Sequence, residues 1–197
     1  MALELNGTTG VSLVQDGVVT AADLNSTLDL SGKTVTLPAG TGGKVLQVQQ
    51  TTKQSAVSWG TASYAGIGLD VSITPLSASS DILIIVTAQY GGDADSYAHG
   101  VLYRDTTQLF VGTGASGNQI NGTVNFGFVN MTSVQYIMQS ASVCYKDTAD
   151  NTTARTYSLK AWARGGSNFT LNMPYTEDNG NYIFTGASSI TAMEIAG

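Results

Sequence analysis

Histidine and cysteine occur once each, as His99 and Cys144, and proline three times. One cysteine cannot close an intramolecular disulfide, and one thiol with one imidazole is too few ligands for a zinc site. Between Val143 and Tyr145, the thiol is expected to act as a small buried hydrophobe on a strand. Charge is scarce as well. Charged residues make up 11% of the 197, against about 25% in an ordinary soluble domain. Bases are scarcest, at 8 Lys and Arg against 14 acids, a net charge of −6. The nearest thing to a basic cluster is Lys160 with Arg164. A reader of nucleic acid needs a basic patch to neutralise phosphates, so that partner class is excluded. An anionic membrane surface would be repelled. No run approaches the ~20 apolar residues of a membrane span. The opening MALELNG has no basic region or long apolar stretch, so no signal peptide is expected. No G-x-S-x-G or comparable nucleophile motif accompanies His99, which reads as a lone surface imidazole rather than a triad member. No catalytic residue, metal site or cofactor is expected, and the chain is not read as an enzyme.

What remains is β-forming. Ile67, Leu69, Val71 and Ile73 alternate with Gly66, Gly68, Asp70 and Ser72, the period of a strand with one apolar face. The run DILIIV at 81–86 is continuous, and its β-branched residues predict a strand covered on both faces. Further strands are predicted at 100–104, 109–111, 124–129, 134–145, 153–163, 169–173 and 188–195. On the 153–163 strand Tyr157, Leu159 and Ala161 share one side, and Lys160, Trp162 and Arg164 the other. Many short strands separated by turns, without βαβ alternation, predict an all-β antiparallel sandwich or jelly roll. The GTGASG at 112–117 formally matches a dinucleotide fingerprint, but strand signals rather than a helix follow it, so it reads as a loop.

Residues 1–43 differ from the rest. Their apolar residues are sparse and scattered among glycines and polar residues, too few for an independent core. They are expected either to pack on the following domain or, in preference, to form an extended N-terminal arm that intertwines with the arms of neighbouring copies, ahead of a head domain over 44–197. Acids cluster in loops as Asp93 with Asp95, Asp147 with Asp150, and Glu177 with Asp178. Such pairs are read as solvated turns in preference to Ca²⁺ ligands or glycosidase carboxylates. Tyr90 and Tyr97 flank one polar loop, and Tyr175 and Tyr182 another. Rings edging polar loops suit sugars, because rings stack on pyranose faces while acids and amides bond hydroxyls. The candidate receptor-binding residues are therefore Tyr90, Asp93, Asp95, Tyr97, His99, Tyr175, Glu177, Asp178 and Tyr182.

Several segments carry a family likeness. They are LDLSGKTVTLPAG at 28–40, VSITPLSASSDILIIV at 71–86, GVLYRDTTQ at 100–108, TYSLKAW at 156–162 and GASSITAMEIA at 186–196. Together they resemble the C-terminal head domains of phage tail fibres and related virion appendages. The resemblance implies a jelly-roll head similar to the tumour-necrosis-factor-like trimers, a homotrimer, and a place on the tail or capsid surface of a virion. It implies a short tail fibre or fibre tip, anchored to another virion protein by the arm, with its head loops meeting host-surface polysaccharide. Only some forty residues precede the head, too few for a long fibre's shaft. A capsid or tail decoration or adaptor without a receptor role is the alternative.

Overall fold

In the computed structural model, residues 44–128, 136–165, 167–175 and 183–197 are described. The expected arm over 1–43 lies outside them, as do Glu177, Asp178 and Tyr182.

The described residues form eleven strands: β1 (Val45–Lys53), β2 (Val57–Trp59), β3 (Ala65–Ile73), β4 (Asp81–Gly92), β5 (Ala98–Arg104), β6 (Thr107–Leu109), β7 (Val124–Asn125), β8 (Gln139–Thr148), β9 (Arg155–Ala163), β10 (Phe169–Leu171) and β11 (Ser188–Ile195). All pair antiparallel. The first sheet runs β1-β11-β4-β8, and the short β10 and β2 continue the β11 and β1 positions along the far end of β4. The second runs β3-β9-β5, with β6 and β7 sharing the next position. Four positions facing four, in this chain order, is the strand order of a jelly roll, in which two Greek keys close one sandwich.

Alternation explains which face goes inward. In β3 Ile67, Leu69, Val71 and Ile73 are buried while the residues between them are exposed. One position breaks the ladder: Gly66 pairs with Lys160 but Leu69 with Leu159. Gly68, at φ +77, takes the left-handed conformation at this bulge, where a side chain would be strained. From β9 come Tyr157, Leu159, Ala161 and Ala163, and from β11 Ile190 and Ala192. An aromatic group closes one end of the core. Tyr90 lies 5.0 Å from Phe126 and 5.9 Å from Phe169, whose ring is 4.2 Å from Trp59.

Two sequence expectations are corrected here. The apolar run of β4 is covered on one face only: Ile82, Ile84 and Val86 are fully buried, but Leu83 and Ile85 are half-buried on the outer face. Cys144 is exposed on the outer side of β8, paired with Ile85, and not a buried hydrophobe.

Two buried carboxylates, both at the level of Ile82 of β4, tie one end of the sandwich, and neither is a solvated turn residue. Asp147 accepts hydrogen bonds from Tyr157 Oη at 2.7 Å and Arg104 Nη1 at 2.9 Å, joining β8 to the opposite sheet. Glu194 accepts from Gln47 Nε2 at 2.7 Å and from the N–H groups of Leu76 and Ser77 at 2.8 and 3.2 Å. It pins the β3–β4 turn to β11. Burial pushes its pKa up, but these donors outweigh burial and hold the carboxyl below its ordinary 4.5. A folded pKa below the unfolded one gives stability that is complete above about 4.5 and is lost as pH falls through the folded value. Glu194→Gln is therefore expected to unfold more easily at neutral pH and to show a shallower loss of melting temperature on acidification. Parallel melting curves for the two proteins across that range would contradict this.

Candidate functional site

The outer face of the second sheet carries a concavity of about 720 Å³, open to solvent. Its floor follows from strand parity. Because β9 sends Leu159, Ala161 and Ala163 into the core, Lys160 and Trp162 must point outward. Burying Ala98 and Leu102 of β5 likewise turns His99 outward. Register then places Trp162, His99 and Asn125 side by side across β9, β5 and β7. The Trp162 and His99 rings lie 5.0 Å apart.

Walls rise on both sides of this row. The loop after β6 returns past Gly122, where a Cβ would sit 2.9 Å from His99 Cδ2, so a bare glycine is needed for the approach. The same loop contributes Ile120, 51% exposed at the rim. Opposite, Arg164 follows directly on β9. Its guanidinium lies over the Tyr97 ring at 5.4 Å, and its N–H donates to the Tyr97 carbonyl at 2.8 Å. The contact holds an exposed, flexible side chain over an aromatic face at the edge of the concavity.

His99 is not the lone surface imidazole expected from sequence. It is half-buried, and its Nε2 lies 2.9 Å from the Tyr64 hydroxyl. Burial lowers its pKa, so at neutral pH the ring is uncharged and shares one proton with Tyr64 across this bond. Burial also raises the Tyr64 pKa, which keeps the phenol protonated. Asn125 Oδ1 accepts from Gly127 N–H at 3.0 Å, which orients the amide and leaves its Nδ2 donors for a ligand. Among the described residues none of the lining side chains is Asp or Glu. These residues offer aromatic faces, an amide and a guanidinium.

The nine residues singled out from sequence are divided by the fold. Tyr97 and His99 line the concavity. Tyr90 does not: it is a core residue, 5% exposed, with its hydroxyl donating to Gln139 Oε1 at 2.7 Å. Asp93 and Tyr175 do meet, but in a separate network, where Asn168 Nδ2 bonds Asp93 Oδ2 at 2.9 Å and the Tyr175 hydroxyl at 3.1 Å. This ties the β4–β5 loop to the segment around β10. Asp95 is exposed in that loop at φ 59. Glu177, Asp178 and Tyr182 lie outside the described residues, so their place is not assigned.

Sequence reading passed over Asn125, Ile120, Trp162 and Arg164 as site residues. One signal was present. A tryptophan on the side of β9 away from the Tyr157, Leu159 and Ala161 face had no core to enter. A second, smaller hollow of about 250 Å³ beside Arg155 is built differently. There the Arg155 guanidinium is engaged by the Thr148, Ala149 and Asn151 carbonyls, so it closes the β8–β9 loop. Among the described residues no three His, Cys, Asp or Glu side chains converge as a metal site would need. No protein-family model matches the chain, and no curated protein matches it.

Proposed function

We propose that this chain is the non-enzymatic head of a phage virion appendage, a homotrimer that attaches to saccharide on the host surface through the concavity over β5, β7 and β9. The observation that carries this reading is the row of Trp162, His99 and Asn125 on an outward sheet face. A tryptophan ring left half-exposed in an open hollow is a platform for the apolar face of a pyranose. Fixed amide and guanidinium donors beside it suit ring hydroxyls. The virion setting rests on the sequence likeness to phage fibre heads.

The trimer is supported by the outer face of the first sheet. Leu83, Met193 and Val48 lie in register across β4, β11 and β1, flanked by Ile85 and Cys144. Val48 alone is 53% exposed. An apolar row of this kind is what assembly between copies would cover. Three sites facing one way then bind with avidity about 10²- to 10⁴-fold above that of one, where the spacing of the receptor allows it. Sedimentation of the full chain should give a trimer, and Leu83→Asp should shift it toward monomer. A monomeric wild-type chain would remove this part of the reading.

The binding reading is tested by presenting the full-length chain to an array of defined bacterial surface saccharides. Selective retention on a subset is expected. Protein that incorporates into phage particles but retains no saccharide and no host cell would favour a decoration or adaptor role instead.

A further inference from the structure

The concavity departs from the electrostatics of the chain around it. The sequence carries 14 acids against 8 bases, yet among the described residues this hollow is lined by Arg164 and by no carboxylate. The ion pairs among the described residues use Arg104 and Lys146. Arg164 has no carboxylate within 4 Å there; its partner is the Tyr97 ring. Lys160, the other base on this face of β9, is laid over the Tyr103 ring at 4.3 Å. Among the described residues Arg164 is thus the one cation that lines the hollow, held at its edge by its contact with the Tyr97 ring. A guanidinium fork matches a carboxylate with two parallel hydrogen bonds, which a neutral hydroxymethyl group cannot reproduce.

Building on the saccharide reading, we propose that the concavity selects an acidic saccharide, a uronate-type pyranose whose ring lies on Trp162 and whose carboxylate pairs with Arg164. Asn125 Nδ2 donates to a ring hydroxyl, and Ile120 covers the apolar edge. The absence of lining acids removes the repulsion that the rest of this acidic surface would exert on such a sugar. Arg164 supplies specificity and Trp162 supplies affinity common to acidic and neutral sugars.

The test uses the full-length chain and calorimetric titration with oligoglucuronate, oligogalacturonate and oligomannuronate. Each is paired with the same oligosaccharide after its carboxyls have been reduced to hydroxymethyl groups. At least one acidic form should bind about tenfold or more tightly than its reduced partner. Arg164→Gln should abolish that difference by weakening the acidic form toward the affinity of its reduced partner. Because Arg164 is exposed, its replacement should leave the melting temperature unchanged. Should the variant fail to fold, the wild-type chain gives a second readout: raising salt should weaken the acidic form alone. Reduced forms that bind as tightly as acidic ones, or an acid preference that survives Arg164→Gln, would overturn the inference and leave the saccharide reading standing. If only neutral saccharides bind on the array, the inference fails alone. If neither acidic nor neutral saccharides bind, both fail.

Discussion

Asn172→Ala is expected to lower the free energy of unfolding by about 2–4 kcal/mol. Asn172 is fully buried just past β10, at φ 63. Its Nδ2 donates to the Lys53 and Ser55 carbonyls at 2.8 and 3.2 Å, and its Oδ1 accepts from Ser188 Oγ at 2.6 Å. Its backbone N–H and carbonyl bond Gln89 and Gly186. One side chain thus satisfies the break between β1 and β2 and the start of β11. Alanine would leave the buried Ser188 hydroxyl without this partner, at about 1–3 kcal/mol, and would free the part-exposed Lys53 and Ser55 carbonyls, which water can reach at lower cost. It would also place a Cβ in the left-handed region, which asparagine tolerates better than alanine. Asn172→Gly separates the two effects, since it removes the bonds but not the backbone freedom. It should recover about 1 kcal/mol of the loss. Urea denaturation monitored by tryptophan fluorescence measures both. A loss under about 1 kcal/mol for the alanine variant would mean that water or neighbouring groups take over these bonds.

Trp162→Ala is expected to reduce saccharide affinity about 10- to 30-fold while leaving the melting temperature nearly unchanged. A pyranose laid on the indole covers on the order of 60–80 Å² of apolar ring, worth about 1.5–2 kcal/mol. The indole is outside the main core, so its removal leaves the packing of Tyr157, Leu159 and Ala161 in place. That split between binding and stability distinguishes a binding platform from a structural aromatic. Trp59, by contrast, packs at 4.2 Å against the buried Phe169. Its replacement by alanine should lower the melting temperature and leave saccharide affinity alone. If Trp162→Ala instead melts early and binds normally, the hollow is a structural seam and not a receptor site.

How much of this was readable in advance depended on whether a residue's partner lay nearby in sequence. The alternation in β3 and β9 was visible because the period of two is local, and it carried the inward and outward sides of Lys160 and Trp162 correctly. In β4 the same local signal was ambiguous. Apolar residues at both parities suggest burial on both faces, yet among the described residues only the second sheet lies against it, and Leu83 and Ile85 on the other side are half-buried. Tyr90 misled for a related reason. Its neighbours Gly91, Gly92 and Asp93 mark a loop, but Phe126 and Phe169, distant in sequence, close over the ring. Asp147 read as a solvated turn acid, and Glu194 drew no attention, because nothing local reveals that Arg104, Tyr157, Gln47 and the 76–77 amides converge on them. The concavity is the extreme case. Trp162, His99 and Asn125 come from three strands, and only the β9-β5-β7 register brings them into one row.

The most direct test is where a bound saccharide sits. A crystal structure of the full-length chain with the tightest array ligand should show the sugar ring against Trp162 and His99, with an acidic group reaching Arg164. A ligand found instead on the Asp93–Asn168–Tyr175 network, or on the outer face of the β1-β11-β4-β8 sheet, would contradict the account.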